Sequence, residues 1–172
     1  MGSDIKEDVN IVVGRFQPFT NGHLKCCTKV YKETGLKTVL CVIDTLKTDE
    51  RHPFLTKMMW SLFKSLAKKY DEIQDAVLVK NADIIKNSKI LEDAGYHIKT
   101  WSCGTDRADA YRKMSKYAPG VEIIEIFRTE EDVSGTQVRK YIKEGDKKRF
   151  EESTPEPVHK FFDRFKTALE EL

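Results

Sequence analysis

Apolar residues along this 172-residue chain fall into two patterns that alternate. One is the short continuous run. Ile11-Val12-Val13-Gly14, Val39-Leu40-Cys41-Val42-Ile43 and Ala76-Val77-Leu78-Val79 read as strands buried on both faces. Ile98 to Cys103 and Val121 to Phe127 extend the series to five. The other pattern is helical. Asn21 to Glu33 stops at Gly35, and Leu55, Met58, Met59, Leu62 and Leu66 repeat on one face of a helix over Phe54 to Tyr70. Asn87 to Ala94 closes at Gly95, Asp106 to Tyr117 ends before Pro119-Gly120, and Ser134 to Lys143 ends near Gly145. Pro155 and Pro157 precede a last helix, Val158 to Leu169.

Strands that alternate with helices predict an α/β fold: a Rossmann-like parallel five-stranded sheet with helices on both faces. The length suits a single domain over 1–172, with the core at about 9–144 and a C-terminal helical appendage at about 145–172. Composition adds exclusions. Lys and Arg number 30 against 28 Asp and Glu, so the net charge of +2 provides no basic field for nucleic acid. No apolar run approaches the roughly 20 residues of a membrane span, and the polar stretch Met1 to Asn10 lacks the apolar region of a signal peptide. Cys26, Cys27, Cys41 and Cys103 show no metal-ligand spacing and read as buried, reduced thiols. The expectation is a cytoplasmic protein with no membrane or nucleic-acid partner and no protein-held metal.

In such a sheet, ligands bind beyond the carboxyl ends of the strands. The first strand leads into Gly14-Arg15-Phe16-Gln17-Pro18-Phe19-Thr20-Asn21-Gly22-His23-Leu24-Lys25. Gly14 permits close approach, Pro18 stiffens the loop, and Thr20 is placed to cap the helix. The helix start then offers amide groups and its positive dipole end to phosphate, with His23 one turn inside as a donor. A second segment of this kind, Ser134-Gly135-Thr136-Gln137-Val138-Arg139, follows the last strand. Neither a P-loop nor a G-x-G-x-x-G turn is present.

Gly14 to Leu24 resembles the signature of the (H/T)-x-G-H nucleotidyltransferase superfamily. Gly14-Arg15-Phe16-Gln17-Pro18-Phe19 is similar to the archaeal-type nicotinamide-mononucleotide adenylyltransferases. Thr20-Asn21-Gly22-His23 is similar to phosphopantetheine adenylyltransferases, and Thr20 stands where the former usually have His. Phe127 to Arg139 resembles the closing I-S-[GS]-T-x-[IV]-R motif. Gly104-Thr105-Asp106-Arg107 is similar to the family's Gly-x-Asp segment, although Asp106 also reads as a plain helix cap. Arg51-His52-Pro53-Phe54 sits where the family has a polar loop and an N-P-F-like helix start.

The resemblance implies transfer of AMP from ATP, or another NTP, to a small phosphorylated acceptor. Nicotinamide mononucleotide leads, and pyrophosphate is released. It assigns His23, Thr20 and Arg139 to catalysis. Gly14, Arg15, Phe16, Gln17, Pro18, Gly22, Lys25, Gly104, Asp106, Arg128, Ser134, Gly135 and Thr136 are assigned to the nucleotide. Lys47, Arg51 and Trp101 are weaker candidates for the acceptor: the first two also read as solvated loop charges, and Trp101 as core. Arg128 also reads as a surface partner of Glu130 or Glu131. Mg²⁺ is expected to arrive bound to substrate phosphates, and homo-oligomers are common among such enzymes. Two other readings stay open: a cytidylyltransferase acting on a sugar or alcohol phosphate, and a nucleotide-binding module without turnover.

Overall fold

The structure, a computed structural model, describes residues 6–129 and 132–172. Five parallel strands form one sheet: β1 (Glu7–Gly14), β2 (Lys37–Ile43), β3 (Ile73–Val79), β4 (Tyr96–Gly104) and β5 (Glu122–Ile126). Their spatial order is β3-β2-β1-β4-β5, so the chain winds outward from β1 in one direction and then reverses to β4. All pairs are parallel, with Gly14 opposite Val42 and Gly104 opposite Ile126. The diverging loops beyond β1 and β4 leave a crevice at this switch point.

Strand residues alternate between two cores. Val9, Ile11, Val13, Val39, Cys41 and Ile43 face the helices α3 (Ile84–Asp93) and α4 (Thr105–Met114), which supply Ile84, Leu91, Ala108 and Tyr111. Leu40, Val42 and Ala76 face the opposite layer. There α1 (Asn21–Thr34) supplies Cys27, α2 (Thr56–Lys69) supplies Met59, Leu62, Phe63 and Leu66, and α5 (Gly135–Lys143) supplies Val138 and Ile142. The expected fold, with helices on both faces, is the one observed.

Differences lie at element edges. β1 begins at Glu7, four residues before its apolar run, because backbone pairing to β4 carries the exposed Glu7 and Asp8. Helix α3 starts at Ile84 rather than Asn87, since Asp83 accepts from the amides of Ile85 and Lys86 at 3.1 Å each. The helix over Asp106 to Tyr117 ends at Met114 and tightens into a 3-10 turn, Ser115–Tyr117. The single expected C-terminal helix is three: α6 (Lys147–Ser153), α7 (Glu156–His159) and α8 (Phe162–Glu170). Asp146 opens α6 by capping Arg149 N, and Phe150, Val158, Phe162 and Phe165 anchor these turns to the α2/α5 layer. No described helix is long and apolar enough to cross a membrane.

A polar knot sits in the middle of the sheet. Asn10 is fully buried on β1; its amide donates to Thr38 Oγ1 of β2 (3.0 Å) and Ser102 Oγ of β4 (2.9 Å). Its carbonyl oxygen accepts from Thr100 Oγ1 at 2.6 Å. Every hydrogen-bonding group of the Asn10 side chain found here is directed to a strand beside the switch point, so the knot fixes how β2, β1 and β4 meet. Asn10→Ala strands hydroxyls in the core and is expected to cost about 1–3 kcal/mol, read as a lower urea midpoint at unchanged m-value.

Candidate active site

The loop after β1 is built around Phe16 and Gln17. Phe16 holds φ at +51°, a left-handed conformation rare outside glycine, and its ring is buried. The ring packs under Gly14, where a Cβ would come within 3.3 Å of it. It stands edge-on to the imidazole of His23 (centroids 5.0 Å apart), and Phe19 completes a three-ring cluster, 5.2 Å from His23 and 5.5 Å from Phe16. The strained turn therefore has a packing reason: it drives an aromatic floor beneath the histidine.

His23 is held from behind as well. The backbone N–H of Thr20 donates to His23 Nδ1 at 2.9 Å, and Thr20 Oγ1 lies 3.2 Å from the same nitrogen. An amide can only donate, so Nδ1 is an acceptor and the ring proton of the neutral form sits on Nε2. Burial, and then the nearby Arg128 charge, pull the His23 pKa down from 6.5 to about 4. The site thus keeps a neutral imidazole with a fixed Nε2–H donor. Thr20, only 3% exposed, faces His23 rather than the crevice. Its expected contact with phosphate gives way to the task of orienting the histidine.

Gln17 ties three segments together. Its side chain makes a two-point bond with the backbone of Phe54: Nε2–H to Phe54 O at 2.9 Å, and Phe54 N–H to Oε1 at 2.8 Å. Thr45 Oγ1, in the same β2–α2 loop, also receives Arg15 Nη1 at 3.2 Å and Gln17 Nε2 at 3.4 Å. From the far end of the chain, Arg139 Nη1 donates to the Gln17 carbonyl at 2.8 Å. The Gln17 side chain and one Arg15 guanidinium nitrogen thus bond to protein groups. Pro18 is buried beside them, so its part is to shape the loop.

The second helix start matches expectation closely. Ser134 caps α5 by accepting from Gln137 N at 3.1 Å. Gly135 opens the helix where a Cβ would lie 3.2 Å from Arg139 Nη1 and 3.7 Å from Gln17 O, so the lack of a side chain allows this junction. Arg139 also reaches Thr136 Oγ1 at 3.2 Å. Its pKa is lowered by burial and by the neighbouring Arg51 charge. Arg51 and Lys47 are both exposed residues of the β2–α2 loop, and of the two only Arg51 acts on Arg139. Arg128 is exposed at the end of β5 and acts on His23; its alternative partners Glu130 and Glu131 lie outside the described residues. Arg128 acts on His23, and Arg51 acts on Arg139, so positive charge gathers on the loops around the two helix starts.

Other expected residues fall elsewhere. Lys25 Nζ lies 3.4 Å from Asp132 Oδ1, and the other oxygen of Asp132 accepts from Thr129 N at 2.8 Å. Gly22 is half-buried in the first turn of α1, with Thr20 Oγ1 3.5 Å from where its Cβ would be. Gly104 is exposed, with open space above it, and is itself the N-cap of α4; Asp106 therefore sits inside the first turn and is not the cap. Trp101 is corrected to core: it is fully buried, its indole N–H donates to Ser88 Oγ at 3.0 Å, and Tyr111 packs edge-on against it. Cys26 is half-exposed, unlike the other three cysteines; burial raises its pKa, so it is no activated nucleophile. Arg107 was missed as a site residue. It is exposed, yet its Nη1 donates to the carbonyl of Val13, at the end of β1, at 3.2 Å. Only the fold puts β1 next to α4, so no local pattern could reveal it. Two concavities of about 420 and 530 Å³ lie away from the crevice, the larger between the β2–α2 loop and α8.

These features define a class of protein: a doubly wound sheet in which the start of α5 is tied to the loop before α1. Residues 11–141 match the Cytidylyltransferase-like family, and the chain belongs to it. It is a nucleotidyltransferase. Solved structures with the same fold include the Plasmodium falciparum nicotinic acid mononucleotide adenylyltransferase complexed with APC (14% identity, TM-score 0.59, covering 94% of this chain and 97% of that one). Another is a Francisella tularensis bifunctional NMN adenylyltransferase/ADP ribose pyrophosphatase complexed with AMP and a Mn ion (17%, 0.65, 96% and 52%). A third is Thermotoga maritima TmcAL bound with alpha-thio ATP (13%, 0.64, 92% and 55%). The chain spans about half the length of these last two. No curated protein sequence matches it significantly.

The His23 environment sets a pH dependence. The folded pKa lies below the ordinary value, so as pH falls the unfolded chain takes up this proton first. The stability tied to the neutral ring is complete above about pH 6.5 and is lost as pH drops toward 4. Urea midpoints measured across that window are expected to fall more steeply for the wild type than for His23→Asn.

Proposed function

We propose that the protein transfers AMP from ATP to a small phosphorylated acceptor, with nicotinamide mononucleotide as the leading acceptor and NAD as the product. The Arg139–Gln17 carbonyl bond carries this reading, because it joins the α5 start to the α1 loop across one crevice. An NTP lying there meets two amide-bearing helix starts and three arginines. The acceptor phosphate oxygen attacks the α-phosphorus in line, and one P–O bond forms as the bond to the β-phosphate breaks. Pyrophosphate leaves with the electron pair, and no covalent enzyme intermediate is needed.

In this scheme the Nε2–H of His23 donates to a non-bridging oxygen of the α-phosphate. Its charge grows in the transition state, so the bond is worth more there than in the ground state. Thr20 keeps the ring in the donating tautomer without contacting phosphate. Arg139, the hydroxyl of Thr136 and the amides behind Ser134 hold the departing pyrophosphate, and Arg128 adds charge near the α-phosphate. Arg51 and Lys47 lie on the loop through which the acceptor phosphate enters. Mg²⁺ arrives with the triphosphate, held mainly by phosphate oxygens and water. Among similar structures, that of the Francisella protein holds AMP with a Mn ion.

The test is pyrophosphate release with Mg²⁺, crossing ATP, CTP, GTP and UTP against phosphorylated acceptors that include nicotinamide mononucleotide and its acid form. ATP with a pyridine mononucleotide is the expected active pair. Activity only with CTP and a sugar or alcohol phosphate moves the substrate class, and NTP binding without any turnover supports the binding-module reading. With the active pair, His23→Ala is expected to reduce kcat by about 10²–10³ while the folded state is retained; near-normal turnover removes His23 from the mechanism.

A further inference from the structure

We propose that Asn21 is a positioning residue for the transfer reaction: its side-chain amide ties the first turn of α1, and with it His23, to the last turn of α6. The proposal rests on the reading of His23 given above. Asn21 is the first residue of α1, between Thr20, the N-cap, and His23, one turn in. Its Nδ2 lies 2.9 Å from the carbonyl oxygen of Glu152, in α6 at the far end of the chain. A carbonyl only accepts, so the contacting atom is the amide NH₂, which sets the orientation of the side chain. Among the described residues, no other side chain of Asn21 to Leu24 hydrogen-bonds to another element.

The α6 end of this tie is well seated. The last carbonyls of a helix have no partner inside it, and side chains serve three of them here. Thr154 Oγ1 donates to Phe150 O at 2.8 Å. His159 Nε2 lies 3.0 Å from Glu151 O and 2.9 Å from Thr154 O, so it donates to both sides of the α6–α7 turn. Glu152 O is next in the series, and its partner comes from α1. Asn21 thus completes the end of α6 from another part of the chain. Beneath it Phe150 is fully buried against Phe162 (ring centroids 5.1 Å apart) and Phe165 (6.3 Å), which seats α6 on the core.

The other end moves with the histidine. Thr20 N–H donates to His23 Nδ1 at 2.9 Å and Leu24 N–H to Thr20 O at 3.2 Å, so Thr20, Asn21 and His23 belong to one hydrogen-bonded turn. A rotation of that turn about the helix axis carries His23 Nε2 with it. Phe16 and Phe19 pack on the ring, but apolar packing is non-directional. The Asn21 bond is directional and adds an orienting constraint from the outer side of the turn. In-line transfer needs that constraint, because a misplacement of about 1 Å is enough to slow such a reaction strongly. The bond itself is exposed, so its loss leaves no buried group unpaired, and its effect on position is separable from an effect on folding.

The experiment compares Asn21→Ala with Lys69→Ala in the full chain. The second variant removes a different exposed tie of the C-terminal helices, the 2.7 Å ion pair between Lys69 of α2 and Glu156 of α7. Steady-state kinetics with the active pair and an NMR titration of the His23 ring are read for both, beside their melting temperatures. Asn21→Ala is expected to lower kcat about 10- to 100-fold with the KM for ATP unchanged, the pattern of an interaction lost in the transition state. It should also move the His23 pKa up from about 4 toward 6.5, as water reaches the loosened ring. Lys69→Ala should leave both readouts at wild-type values. A wild-type kcat or an unmoved His23 titration in Asn21→Ala overturns the proposal, and so do equal shifts in Lys69→Ala, which mark general loosening. A wild-type chain without turnover overturns instead the function on which the proposal rests, and the titration still tests the tie.

Discussion

The junction at Gln17 is the constraint on which the active site depends. One residue uses its side chain to hold the backbone of Phe54 and its carbonyl to hold Arg139. The loops after β1 and β2 and the start of α5 are thereby fixed relative to one another, although no regular hydrogen-bond ladder connects them. The bonds are buried, where an unmade partner costs the most, so the geometry is stiff. Phosphoryl transfer gains chiefly from such stiffness, because positioning and charge carry most of its acceleration. The Arg139 guanidinium is preorganised before any substrate arrives: two of its nitrogens already have protein partners.

The histidine illustrates how the scaffold selects one chemical form. Phe16 and Phe19 pack against the ring, Arg128 repels a second proton, and the Thr20 amide occupies Nδ1. The combined result is a neutral donor at ordinary pH. The ring is thereby held uncharged and in one orientation, with positive charge left to the neighbouring arginine. Thr20 is not a weakened substitute for a second histidine in this arrangement. Its place in the structure is behind the donor, which explains how a threonine serves at that position.

The C-terminal helices belong to this machinery more than their appended position suggests. Phe165 of α8 stacks on Phe54 with ring centroids 4.3 Å apart, and Phe54 is the residue whose backbone Gln17 grips. At the start of α1, Asn21 Nδ2 donates to the Glu152 carbonyl of α6 at 2.9 Å. The appendage therefore buttresses both the β2–α2 loop and the first turn that carries His23. Below them the Asn10 knot holds the three central strands in place.

Much of this was legible along the chain. Continuous apolar runs marked β1, β2 and the end of β3, as strands buried on both faces tend to show, whereas β4 and β5 lie in mixed apolar and polar stretches. The Gly14–His23 and Ser134–Arg139 strings marked both phosphate-facing helix starts, because capping residues and glycines are dictated within a few positions. What local pattern could not supply was partnership between distant residues. Gln17 read as a nucleotide ligand and proved to be a clamp; Thr20 read as a phosphate contact and faces the histidine; Trp101 read as a pocket wall or core and is core, bonded to Ser88. Arg107 carried no signal at all, as its meaning depends on β4 returning beside β1. The sequence by itself determined the elements, the sheet type and the starts of α1 and α5, all set by periodicity and short-range capping. Tertiary structure alone decided which polar side chains face the crevice and which face protein, because that choice follows from long-range packing and the need to satisfy every buried donor and acceptor.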